Sequence, residues 1–261
     1  MYKGFDLDEL KEVACKIHQL NPNWSEKAKA NYIKHALREM NIHKELNHDH
    51  IVKLYDTVEI DSNSFCTVLE FCSGPDLSQY MKTHKILSEK EAKLILNQIL
   101  SGIRYLHTHK HKIIHYDLKP QNIIFHKGEI KISDFGLCKI MEEENTKMEL
   151  TSQGVGTYWY LPPECFELGD RPPKISQKVD IWSIGVAFYE MIFGCKPFGN
   201  NMSQERILKE QIILRSRKVI FPQKPIISNE AKDFIRRCLE YSQDDRMDIE
   251  MAVSHIYISK K

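Results

Sequence analysis

Four residues stand out by type and spacing: Asp117, Lys119, Asn122 and Asp134, carried by His115-Tyr-Asp-Leu-Lys-Pro-Gln-Asn122 and Asp134-Phe-Gly136. A carboxylate can orient an attacking hydroxyl, and a cation two residues on can neutralise oxygens that gain charge during a reaction. An amide and a second carboxylate are hard oxygen donors, suited to a hard divalent cation such as Mg²⁺. Those three functions together are what transfer of a phosphoryl group requires. Asp117 fits the first, Lys119 the second, and Asn122 with Asp134 the third. Taken separately, the two segments could be polar turns in a helical region. Their joint occurrence, with the second carboxylate 17 residues after the first, argues for a site.

Such groups need a frame. EVACKI (12–17) is short and apolar, and SFCTVLEF (64–71) is β-branched and aromatic before the turn signal Ser73-Gly74-Pro75; both read as strands. After Pro22, a helix is expected from about Ser25 to Leu46, with Ile33, Leu37, Met40 and Ile42 near helical period. Ser88-Glu-Lys-Glu91 forms a capping box ahead of the stripe Ala92, Ile95, Ile99, Ile103 and Leu106. Residues 113–137 read as short strand and loop, and 138–175 as irregular. VDIWSIGVAFYEMIF (179–193) is almost wholly apolar, but about 15 residues are too few to span a bilayer, so it reads as a buried helix. Ser203 and Ser228 are placed as N-caps of later helices. The class is α+β: a small sheet-rich lobe (about 1–70), a hinge (about 70–76) and a larger helical lobe (about 77–261), together one domain over 1–261.

Composition excludes several functions. The 261 residues carry a net charge of +1, so no global positive field exists and no direct nucleic-acid contact is expected. No apolar run approaches the ~20 residues of a membrane span. The seven cysteines are odd in number and form no CxxC pair, so reduced thiols are expected. MYKGFDLDELKEVACK has no apolar signal core, which points to the nucleus or cytoplasm rather than secretion. His107, His109 and His111 in HTHKHK alternate as metal ligands can, but read as a solvated loop. Glu142 to Glu144 read as a solvated acidic run, and Thr146, Thr151 and Ser152 as candidate phosphorylation sites.

On these motifs the sequence resembles the eukaryotic protein kinase family along essentially its whole length. The resemblance implies a bilobal protein-kinase fold, ATP and Mg²⁺ as cofactors, and protein substrates with Ser/Thr acceptors. It implies that Lys16 of VACK contacts the α/β-phosphates and pairs with Glu39 of LREMNIHKEL. It further implies Leu69 as gatekeeper, the backbone of Glu70 to Cys72 as the adenine-reading hinge, Asp76 beside the ribose, and Ala14 and Ile124 on either face of the adenine. Glu164 of Pro162-Pro-Glu164 is expected to pair with Arg246, and Asp180 of DIWSIG to support the catalytic loop from below. CKIHQLNPNW, EIKISDFGLCKIM, LTSQGVGTYWYLPPECF and PPKISQKVDIWS look like the Tousled-like kinases, nuclear Ser/Thr kinases linked to chromatin assembly. Lys119 together with Thr157 of GTYWYLPPE matches the Ser/Thr pattern.

Two departures follow from the same resemblance. Tyr116 stands where the family has an Arg that pairs with an activation-segment phosphate, and Tyr cannot supply that charge. The glycine-rich loop is absent: the sequence opens at MYKGFD, which aligns just after it, and Gly4 is no substitute. The small lobe is therefore expected to lack two complete strands, to leave strand 12–17 with an open edge, to bind ATP weakly and to turn over slowly. Two readings stay open. One is a Ser/Thr protein kinase; the other is a catalytically impaired fragment or pseudokinase-like interaction module. Lys16, Glu39, Asp117, Lys119, Asn122 and Asp134 favour the first, and the missing loop the second. GTYWYLPPE disfavours a small-molecule kinase of similar fold.

Overall fold

A computed structural model of the chain describes residues 1–61, 63–141, 145–150, 155–167 and 169–260, without the side chains of 28, 31, 34, 35 and 37–39. The first 70 residues carry a four-stranded antiparallel sheet in the order β1-β2-β4-β3, with β1 at Tyr2–Asp6, β2 at Lys11–Gln19, β3 at Leu54–Asp61 and β4 at Ser64–Glu70. The expected open edge on strand 12–17 is not there. β1 pairs with β2 from Tyr2↔Cys15 to Asp6↔Lys11, and β4 pairs along the other side. The turn between β1 and β2 carries no Gly or Pro. The Asp6 carboxylate makes it instead, accepting the N–H groups of Asp8 and Glu9 at 3.1 Å each. Helix α1 (Glu26–Glu45) lies against the sheet, and the Thr57 hydroxyl of β3 donates to Met40 Sδ at 3.4 Å.

From Leu77 onward helices dominate. Helix α2 (Leu77–His84) and α3 (Glu89–Thr108) are each capped by a side chain that accepts a first-turn N–H, from Asp76 and Ser88. Only half of the expected capping box forms. Ser88 Oγ receives Glu91 N–H at 3.2 Å, while the Glu91 carboxylate accepts the Tyr80 hydroxyl at 2.6 Å, which ties α3 to α2. The α3 stripe Ala92, Ile95, Ile99, Ile103 and Leu106 is buried throughout.

Helix α4 (Lys178–Phe193) buries 13 of its 16 residues, so it is a central post rather than a surface helix. At Gly185 a Cβ would lie 2.5 Å from Cys238 Cβ, so a glycine there lets α4 meet the later helix Asn229–Cys238 closely. Ser203 caps α5 (Gln204–Lys209), and Ser228 caps that later helix. No helix among the described residues is long and apolar enough to cross a membrane.

The halves are stitched at two places by a hairpin of β6 (Ile123–His126) and β7 (Glu129–Ile132). Gly74 N–H donates to Phe125 O and Phe125 N–H to Pro75 O, while Val52 N–H donates to Ile132 O and Ile132 N–H to His50 O, all at 2.9–3.0 Å. The hairpin turns through Lys127 and Gly128 with φ of 50° and 87°, the left-handed pair a two-residue turn requires.

A buried ion pair fixes the far side. Arg246 has no solvent exposure; its guanidinium grips the Glu164 carboxylate through two bonds of 2.8 and 3.0 Å and stands 4.9 Å over the Trp182 ring. Removing one partner strands a buried charge. Arg246→Ala is therefore expected to cost about 3–5 kcal/mol in urea denaturation. A loss below about 1 kcal/mol, the size of an ordinary surface change, would contradict this account of the pair.

Candidate active site

The β6–β7 hairpin sets the positions of Asn122 and Asp134. Ile123 pairs with Ile132, so Asn122 and Ser133 leave the hairpin side by side; Ser133 N–H and Oγ both donate to Asn122 O, at 2.8 and 3.2 Å. Asn122 Nδ2 donates to Asp117 O (2.8 Å) and Asp117 Oδ2 (3.1 Å). With the amide nitrogen committed to Asp117, Oδ1 is the atom that Asn122 can offer to a cation. Asp134 follows Ser133 with φ of 61°, and 44% of its side chain reaches solvent.

Asp117 is gripped from several directions. Lys119 Nζ lies 2.7 Å from Oδ2 and 2.9 Å from Thr157 Oγ1, and the Thr157 hydroxyl donates to Asp117 Oδ1 at 3.1 Å. The backbone leading to Asp117 is equally determined. Asp180, wholly buried in α4, accepts His115 N–H on Oδ2 and Tyr116 N–H on Oδ1, each at 2.9 Å. His107 Nε2 joins Asp180 Oδ2 at 2.9 Å. This overturns the reading of His107 as part of a solvated loop: it is in the last turn of α3 and 5% exposed. Its partner lies 73 residues away, so local sequence could not reveal it.

Across the cleft, Lys16 of β2 donates to Asp134 Oδ1 at 2.9 Å. Partial burial pushes the Asp134 carboxyl upward. The Lys16 charge and hydrogen bond, with His115 and the Gly136 N–H, outweigh that push and hold it below the ordinary carboxylate value. The expected partner of Lys16, Glu39, is in α1, with its side chain outside the described residues. Four residues further on, the same face of α1 brings His43 against Phe135, with ring centroids 4.3 Å apart. His115 meets the same phenyl ring edge-on at 5.2 Å. His43 and Phe135 were not singled out from the sequence, although the four-residue spacing from Glu39 would have found His43. Lys16, Leu69, Asp134, Met40, His43 and Phe135 line a cavity of about 650 Å³.

The remaining residues expected beside a nucleotide lie in the sheet and in the stretch that follows it. Ala14 pairs with Leu69 across β2 and β4. The Glu70 carboxylate takes the Lys131 ammonium at 2.9 Å and Lys53 N–H at 3.2 Å, so its side chain ties the sheet to β7. Burial pushes the Cys72 thiol up to about 11. Asp76 forms an isolated bridge with Ile124, and its Oδ1 accepts Gln79 N–H at 2.9 Å as the cap of α2. Glu142 to Glu144, Thr151 and Ser152 lie outside the described residues.

The sequence matches the protein kinase domain family over residues 1–258. Serine/threonine-protein kinase tousled-like 2 of Mus musculus is 56% identical over 266 residues, taking in 99% of this chain and 37% of that protein. Tousled-like 1-B of Danio rerio is 57% identical over 265 residues, 99% of this chain and 35% of that protein. TOUSLED of Arabidopsis thaliana is 55% identical over 263 residues, 99% of this chain and 38% of that protein. The chain thus spans a little over a third of the length of these relatives.

Burial drives the His43 imidazole down from 6.5 to about 4; its hydrogen bond to Val52 O raises it less, and Lys16 and His115 lower it further. Below pH 6.5 the unfolded chain binds a proton there that the folded chain refuses, so stability falls as pH drops toward 4. This one group is expected to remove about 2 kcal/mol between pH 7 and pH 5. Denaturation of the chain and of His43→Leu at both pH values measures it: the variant's slope should be shallower by that amount, and parallel slopes would contradict the assignment.

Proposed function

The chain belongs to the protein kinase domain family, and on that premise we propose that it transfers the γ-phosphoryl group of Mg·ATP to Ser and Thr hydroxyls of protein substrates. The observation that carries the proposal is the Asp117–Lys119–Thr157 triangle, with all three edges between 2.7 and 3.1 Å. A carboxylate oxygen has two lone pairs, so Asp117 Oδ1, which takes the Thr157 hydroxyl, can receive a substrate hydroxyl as well. In that place it orients the nucleophile and takes its proton as the bond to phosphorus forms. Lys119 holds its charge beside the same carboxylate, where the transferred group would gain negative charge.

The donor set fits Mg²⁺. Asp134 stays ionised and partly exposed, Asn122 can present a carbonyl oxygen, and a cation that prefers phosphate and water needs few protein ligands. Asn122 and Asp134 would hold the metal, which when bound neutralises the phosphate oxygens. Lys16 would turn from Asp134 toward the nucleotide, and Ala14, Leu69, the Glu70–Cys72 backbone, Asp76 and Ile124 would enclose the nucleoside. Assembly of Asp117, Lys119, Asn122 and Asp134 around one hairpin supports an enzyme over a non-catalytic module. Likeness to the Tousled-like kinases extends the proposal to nuclear, chromatin-linked protein substrates.

Transfer of ³²P from labelled ATP to a protein pool, followed by phosphoamino-acid analysis, tests this. Phosphoserine and phosphothreonine are expected, and phosphotyrosine as the main product would overturn the acceptor class. Asp117→Asn and Asp134→Asn should each lower transfer at least about a hundredfold while unfolding stays cooperative. Activity within about threefold of the parent chain in either variant would overturn its role.

A further inference from the structure

The chain as a whole is nearly neutral, yet its cations are not evenly spread. Between Glu210 and Glu230 the sequence carries Arg215, Arg217, Lys218 and Lys224 and no acid. After α5 this stretch forms α6 (Ile212–Arg215) and then an irregular run that packs on the end of α7 (Asn229–Cys238). Arg236, in the last turn of α7, stands 5.0 Å over the Phe221 ring, and Arg217 stands 3.8 Å over the Tyr241 ring. All five cations are exposed. The acids around them are committed elsewhere: Glu210 to Arg206, Glu230 to Lys260, Asp233 to Arg237, and Glu240 to the Tyr241 N–H. Among the described residues none of the five cations has a carboxylate partner. Like charges gathered on one surface repel one another, and a bound polyanion relieves that repulsion.

The same surface is apolar and firmly held. Ile220 is 80% exposed and Ile226 87%. Ile220 O accepts the Tyr189 hydroxyl of α4 at 2.9 Å, and Phe221 packs against the rings of Tyr189 and Phe193. Ile226 precedes Ile227, which is buried. Two aliphatic side chains are thus presented to water beside anchored neighbours, at little ordering cost to a partner. The patch is also joined to the candidate active site. α5, which leads into it, begins at Gln204, and Gln204 Oε1 accepts Tyr158 N–H at 2.9 Å, one residue past Thr157.

We propose that this surface docks an acidic segment of the protein substrate that also carries an apolar side chain, away from the point of transfer. Its carboxylates meet the five cations, and its apolar residue covers Ile220. The connection to Thr157 through α5 favours a substrate segment over a bilayer, and the exposed isoleucines favour it over a phosphate backbone.

Binding is measured apart from transfer, because only transfer rests on the kinase reading. The probe is a fluorescein-labelled Glu-rich peptide with a central Leu-Phe pair and no hydroxyl side chain. Anisotropy at low salt should show affinity falling at least about tenfold when its Glu residues become Gln, and as much in Lys218→Glu/Lys224→Glu. Ile220→Ser should weaken it about fivefold. Lys27→Glu/Lys53→Glu, the same change in net charge within the first 70 residues, should stay within about twofold of the parent chain. For transfer, the Glu-rich segment is joined by a Gly linker to a Ser-containing acceptor peptide. Lys218→Glu/Lys224→Glu should raise KM for that fusion about tenfold with kcat within about twofold, and should leave the acceptor peptide alone unaffected. Equal binding of the Gln peptide, an equal loss in Lys27→Glu/Lys53→Glu, or an unchanged KM for the fusion overturns the proposal. So does tighter binding of duplex DNA or phosphatidylserine vesicles than of the Glu-rich peptide. A parent chain with no phosphoryl transfer to any acceptor sinks the kinase reading, and the anisotropy comparison still decides whether the patch holds acidic segments.

Discussion

Asp180 accepts the backbone N–H groups of His115 and Tyr116 on separate oxygens, from inside a helix that is buried on every side. A carboxylate so placed cannot relax into water, and its two donors fix two successive peptide groups. Tyr116 is thereby kept at a positive φ that a tyrosine would not choose alone. Asp117, the next residue, inherits its direction from that constraint. His107 adds a third bond from the end of α3, so that helix, the loop that carries Asp117 and the central post share one buried anchor.

From that anchor the rest of the site is built by short, local connections. Asn122 bonds back to Asp117, Ser133 bonds back to Asn122, and Asp134 follows in the chain. Each carboxylate of the pair stands beside its own ammonium, Asp117 with Lys119 and Asp134 with Lys16, so each has an opposite charge within hydrogen-bond distance. One of these cations comes from the sheet and the other from the loop. The site is therefore assembled only when the two halves face each other, and the β6–β7 hairpin, bonded to the hinge and to the segment after α1, holds them so.

The parts legible in the sequence were those written in local chemistry. HYDLKPQN and DFG announced their residues because acid, base and cation donors are few and their spacing is narrow. Ser88, Ser203 and Ser228 announced helix starts because a cap acts three residues away. Strand β1 was hidden because its turn is made by the Asp6 side chain rather than by Gly or Pro. His107 was misread because HTHKHK looks polar and looped, whereas its partner is on α4. Tyr116 read as the loss of a cation; that Lys139 Nζ stands 4.6 Å from its ring centroid is a contact between distant positions that local sequence does not show.

Asp180 carries the whole arrangement, and Asp180→Asn tests its role most directly. An asparagine has one side-chain acceptor for two backbone donors, and its NH₂ would face an N–H. Steady-state kinetics of the folded variant should show kcat reduced by about a hundredfold with KM for ATP within about threefold, because the loop loses its set while the nucleotide residues keep theirs. A folded Asp180→Asn chain with unchanged kcat would show that the buried carboxylate does not position Asp117.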